Sequence, residues 1–144
     1  MSYPSQAALE YLKQKIEATI TNANGKTYIG RLHFEEEDLP IWTIYQAGGK
    51  MSSHGTGCAS YLNDLVMVVI ESHAPKEENK ELLETANQIY GDLISLLKNL
   101  FQTDNKLGNT IFELILDDLT WDIGMSETED VVSIKIEFFI RVIV

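Results

Sequence analysis

The sequence predicts an α+β fold: a mainly antiparallel or mixed sheet of about five strands with two helices packed on one face. Three observations carry this. The C-terminal segment alternates without a break, with Val132, Ile134, Ile136, Phe138, Ile140 and Val142 on one face and Ser133, Lys135, Glu137 and Arg141 on the other. That is the period of a strand half-buried in a sheet. Two other segments repeat their apolar residues at helical spacing. The order helix, strands, helix, strands sets the strands in adjacent pairs, which favours antiparallel pairing.

The first helix is expected from Ser5, as a capping residue, to about Thr21, with Leu9, Leu12, Ile16 and Ile20 forming one apolar stripe. Asn22 to Gly25 ends it, because Asn and Gly tolerate the left-handed backbone of a helix C-terminus. Tyr28 to Phe34 alternates and predicts a half-buried strand, with Tyr28, Leu32 and Phe34 on one face and Arg31 and His33 on the other. After the acidic run Glu35-Glu36-Glu37-Asp38 and Leu39-Pro40 comes a strand, Ile41 to Tyr45, apolar on both faces. Such a strand is covered on both sides, by the rest of the fold or by a partner.

Gln46 to Ser60 is small and polar, with Gly48, Gly49, Gly55 and Gly57, and predicts a long loop that is mobile in the free protein and orders on assembly. A long strand follows from about Tyr61 to His73. Pro75 and Glu77-Glu78 predict the start of the second helix, whose apolar positions include Leu82, Ala86, Ile89, Leu93, Leu96, Leu97 and Leu100. Asn105 to Asn109 closes it. Ile111 to Leu116 fits helix and strand equally by period. Leu119, Trp121 and Ile123 alternate with Thr120 and Asp122 as a strand, and Ser126 to Asp130 is a polar turn before the last strand.

A chain of 144 residues is sized for one domain, 1–144, and buries roughly 70% of its unfolded surface without needing a metal or disulfide. Cys58 is the sole cysteine, which excludes an internal disulfide and fits a reducing compartment. The opening Met1-Ser2-Tyr3-Pro4 lacks the basic and apolar segments of a secretory leader. The longest apolar run, Leu65 to Ile70, is too short to cross a bilayer. A net charge of −11 with no Lys/Arg cluster argues against nucleic-acid binding and serves solubility.

Each candidate for chemistry has a plainer reading. His54 and Cys58 share one Gly-rich loop, where neither is held as a thiolate–base pair requires. His33, His54 and His73 match no short metal-ligand spacing. Gly55-Thr56-Gly57 lacks the Lys-Ser/Thr ending and following helix of a phosphate loop. Glu35 to Asp38 and Asp117-Asp118 are runs, not carboxylates held apart across a cleft. No catalytic, metal or cofactor residue is expected. Trp121 reads as core, and Trp42 as core or interface alike.

The capped helix, short strand and acidic stretch, followed by Asp38-Leu39-Pro40-Ile41-Trp42-Thr43-Ile44-Tyr45, resemble the tail terminator proteins of long-tailed bacteriophages, also called minor tail or tail completion proteins. The likeness continues through the strand Tyr61 to His73, the helix with Leu82 to Leu100, and the closing strands with Leu119-Thr120-Trp121 and Val132 to Val142. It departs at Trp42 and Ile44, where the family usually carries a charged or polar residue. The resemblance implies a non-catalytic virion protein of a phage or prophage, present in the host cytoplasm during assembly and then in the virion tail. Its copies form a ring, commonly a hexamer, that caps the tail tube protein and meets the head–tail connector protein. No cofactor, membrane or sequence-specific nucleic acid is implied. The interface candidates are Glu35, Glu36, Glu37, Asp38, Trp42, Tyr45 and His54. The alternative is a small acidic adaptor or ligand-binding domain without catalytic activity.

Overall fold

A computed structural model of the chain describes residues 3–54 and 61–144. Helix α1 (Ser5–Thr19) leads through a 3₁₀ turn into a three-residue strand β1 (Thr27–Ile29). A loop then leads to the long hairpin of β2 (Ile41–His54) and β3 (Tyr61–Pro75). Helix α2 (Leu82–Thr103) and the hairpin of β4 (Glu113–Ser126) and β5 (Val131–Ile143) complete the order. The five strands form one sheet in the order β1-β2-β3-β5-β4. β1 runs parallel to β2, and all other neighbours are antiparallel. This is the mixed α+β sheet that the sequence predicts. Among the described residues no helix is long and apolar enough to cross a membrane.

Both helices lie on one face. The stripe Leu9, Leu12 and Ile16 of α1 joins Ala86, Ile89, Leu93, Leu96, Leu97 and Leu100 of α2 in a single buried cluster. From the sheet it takes Trp42 and Ile44, Val66, Val68 and Ile70, and every second residue of β5 from Val132 to Val142. Burial along β5 alternates without exception up to Val142. This face holds most of the buried large apolar side chains among the described residues, and their removal from water is the main favourable term in folding.

Several boundaries differ from those read in the sequence. Pro4, not Ser5, stands at the cap position of α1. Ser5 is the first helical residue; it is buried, and its hydroxyl donates to Gln46 Oε1 at 2.5 Å, tying the helix start to β2. α1 ends at Thr19, before the expected Thr21. The predicted strand 28–34 is cut to Thr27–Ile29, because Gly30 takes φ +75° and turns the chain out of the sheet. Pro75 is the last residue of β3 rather than the first of a helix. Six residues then separate it from α2, whose first turn carries Glu84, not Glu77.

The largest correction concerns 46–60. Gln46 to His54 is not a loop but the second half of β2, paired residue by residue with β3 down to His54 opposite Tyr61. A bulge between Gln46 and Gly49 absorbs the irregularity. Gly48 there takes φ +103°, and a Cβ on Gly49 would stand 2.4 Å from the Leu65 carbonyl oxygen. The glycines that suggested a mobile loop are what lets the strand bend and continue. Residues 55–60, with Cys58, Gly55 and Gly57, lie outside the described residues.

Candidate interaction surface

The face of the sheet opposite the helices is set by register. Thr43 and Tyr45 of β2 stand opposite Glu71 and Val69 of β3. Beyond them lie Lys135 and Glu137 of β5, then Asp122 and Thr120 of β4. Further along, Leu65 and Met67 face Arg141 and Phe139. The result is a half-buried mosaic of apolar and charged side chains. Lys135 pairs with Glu137 at 3.2 Å, and that hydrogen bond holds the ammonium above its ordinary range. Burial pushes the Tyr45 phenol up, and the neighbouring Glu71 carboxylate adds to this. Among the described residues the buried Thr43 hydroxyl has no hydrogen-bond partner.

One corner of this face is covered from within. The segment after β1 folds back so that Phe34 meets His73, ring centroids 4.5 Å apart, and Arg31 lies 4.7 Å over the Tyr28 ring. Ile41 and Thr43 are buried beneath that corner, and Trp42 and Ile44 are buried on the helix side. From Ile41 to Ile44 the doubly apolar strand is thus covered by its own chain, and Tyr45 is left half-buried. Trp42, offered as an interface residue, is core: it is fully buried and its Nε1–H donates to Asn22 Oδ1 at 3.2 Å. Burial also lowers the His73 imidazole below its ordinary range.

The acidic run forms a short 3₁₀ turn, Glu36–Asp38, whose ends cap each other. The Glu35 backbone N–H donates to Asp38 Oδ2 at 2.8 Å, and Arg31 Nη2 reaches the same oxygen at 2.8 Å. The four carboxylates therefore divide: Asp38 and Glu35 are bonded inside the turn, Glu35 accepting the Asp38 backbone N–H, while Glu36 and Glu37 extend into solvent. Tyr45 sits half-buried on the uncovered face, and His54 closes β2. The candidates do not converge on one point. His33 is exposed and His73 is spent on Phe34. Among the described residues no group of three or more His, Cys, Asp or Glu could hold a metal ion.

Two features escaped the sequence reading. One is a groove of about 900 Å³ between the helices, with Lys15, Asn22, Gln88, Asp92 and Asn99 beside Ile89 and Leu96 in its wall. Tyr11 donates a hydrogen bond to Asp104 at its end, which holds that carboxyl below the usual range. The other is Trp121, which is not core: 46% of it is exposed, and its indole stacks on Tyr90 with centroids 4.2 Å apart. The signal for it was present in Asp117, Asp118 and Asp122 beside it, carboxylates that a strand buried on both sides does not carry and an edge tolerates. Comparison with known families and with curated proteins finds no match to this chain.

Proposed function

We propose that this chain is a non-catalytic structural subunit that closes the tail tube of a long-tailed phage or prophage as a ring, commonly of six, and helps join the tail to the head. The observation that carries the reading is the Asp38-Leu39-Pro40 sequence immediately ahead of β2, within the order of helices and strands that resembles tail terminator proteins. The broad uncovered sheet face supports it, because a ring subunit works by presenting surfaces to neighbours and not by enclosing a substrate. Further copies, the tail tube protein and the head–tail connector are the partners in this reading. Assembly takes place in the host cytoplasm, and the product stays in the virion tail.

The net charge of −11 suits a wall along which DNA passes, since like charge keeps phosphates from adhering. Glu35, Glu36 and Glu37 act at a subunit or lumen surface, with Tyr45 and His54 as further contacts. The test is deletion of the gene from its phage or prophage, followed by electron microscopy of the particles. Tails of abnormal length or unjoined to heads are expected. Tails of normal length joined to heads would overturn the proposal. The same charge also favours a second reading, an acidic adaptor that is monomeric alone and binds a basic partner in a salt-sensitive manner.

A further inference from the structure

We propose that the outer edge of β4, over 120–126, is a docking site for an extended segment of another protein in which apolar and basic residues alternate, added to the sheet as a sixth strand. β4 ends the sheet, and among the described residues no strand pairs with its outer side. Its backbone donors and acceptors on that side are a ready template for strand addition.

The two faces of this edge differ, and the difference specifies the guest. Trp121, Ile123 and Met125 stand opposite the buried residues Ile136, Ile134 and Val132, so they lie on the helix side. Thr120, Asp122 and Gly124 stand opposite Glu137, Lys135 and Ser133, on the uncovered side. A strand laid beside them meets apolar groups at one set of alternate positions and, at the other, the Asp122 carboxylate between Thr120 and Gly124.

Helix α2 extends the apolar side. Leu83, Tyr90, Ile94 and Phe101 share one helical stripe, and Tyr90 stacks on Trp121, which turns that stripe toward β4. The opposite flank of α2, with Gln88, Asp92 and Asn99, faces the groove beside α1. Leu83 at 50%, Phe101 at 42% and Met125 at 52% are among the most exposed large apolar side chains of the molecule. A stacked Trp–Tyr pair beside exposed aliphatic groups has the composition of an interface hot spot.

Charge selects the occupant. Between Glu113 and Asp130 there are seven acidic residues and no Lys or Arg. Of the seven, only Glu113 is in an ion pair among the described residues, with Arg141 at 2.8 Å. Two β4 edges from copies of this chain would bring these carboxylates together, and like charges facing each other across strands are destabilising. A cationic strand meets Asp122 instead, whose cross-strand neighbour Lys135 lies one strand further in and is paired with Glu137. The bulge between Ile115 and Thr120, with Asp118 at φ +59°, breaks the edge on one side and confines the site to its regular stretch. Such a site serves a ring subunit and a monomeric adaptor alike.

The test uses a fluorescent, end-capped seven-residue peptide alternating Val and Lys. Two controls accompany it: an isomer with the same residues in two blocks, and an alternating Val/Glu peptide. The alternating Val/Lys peptide is expected to bind saturably, more weakly as salt rises, and to slow amide exchange over 120–126 in the wild-type chain. Asp122→Lys and Trp121→Ala, both at exposed positions, should each weaken it about tenfold or more. Three results would overturn the site: equal binding of the block isomer, indifference of binding to both substitutions, or no binding by any peptide. Sedimentation of the chain alone supplies the remaining outcome. Self-association abolished by Trp121→Ala would give the edge to a second copy and overturn the foreign strand.

Discussion

β4 and β5 lie side by side, and both carry alternating apolar residues, yet they end in opposite environments. On β5 the apolar set from Val132 to Val142 is buried, because the helices cross above it. On β4 the same alternation leaves Trp121 and Met125 exposed although each pairs directly with a buried β5 residue. Alternation therefore fixes which face a side chain joins, and distance from the covering helix decides whether water reaches it. The edge is managed by a bulge, by carboxylates and by one aromatic stack, where the centre relies on close packing.

The comparison is broken most severely at its buried member. Phe138→Ala should cost about 3–5 kcal/mol in urea unfolding, since it empties a fully enclosed position. Trp121→Ala should cost less, about 1.5–3 kcal/mol, for the buried half of the indole together with the aromatic pair. Equal losses would show that the β4 edge is as well covered as β5. A smaller effect sharpens the helix side. Tyr11→Phe removes the bond to Asp104 and should cost ~1 kcal/mol at neutral pH. Because the Asp104 carboxyl is held below its ordinary value of 3.8, this contribution is full above that value and lost as pH falls through the lowered one. Wild type and variant should converge in acid in unfolding curves taken from neutral pH downward.

His73 gives the same direction of pH dependence from a different cause, burial of the imidazole. Its lowered imidazole means that the unfolded chain binds the proton more readily, so stability should decline as pH falls below 6.5. His73→Gln should flatten that part of the profile. The smallest effects belong to the acidic turn. Asp38→Asn weakens the link to Arg31 and should cost about 0.2–1 kcal/mol, whereas Glu36→Gln and Glu37→Gln should stay within about 0.5 kcal/mol of wild type. A large loss from either glutamate would mark it as bonded within the subunit.

What was legible in the sequence follows from how local its cause is. β5, the core face of α2 and the long β3 were plain, because their periods are set by a face packed along the whole element. The stretch 46–54 was not, since its small polar residues become a strand only through pairing with β3. The short β1 was misread because Tyr28 to Phe34 keeps alternating after Gly30 has turned the chain. At the candidate surface, Trp42 looked available and proved to be core, while Trp121 looked buried and proved exposed. A tryptophan in a strand has the same local signature in both places, and only the strand order tells them apart. The split between the bonded pair Glu35 and Asp38 and the exposed Glu36 and Glu37 rests likewise on the turn and on Arg31, whose loop position no pattern announces.

The seam between β3 and β5 joins Asn63 to Ile143 and Pro75 to Val131, so the centre of the sheet is built from segments far apart in the chain. The hairpin of β2 and β3 is close in sequence and can pair early, but its β3 side waits bare until the last strand arrives. Synthesis at the ribosome thus leaves Val66, Val68 and Ile70 without their β5 neighbours until Ile136 to Ile140 have emerged. Closing so long a loop is slow compared with forming local contacts. The acidic character of the chain has a use in that interval: nascent copies on neighbouring ribosomes repel one another while their unfinished sheets are open.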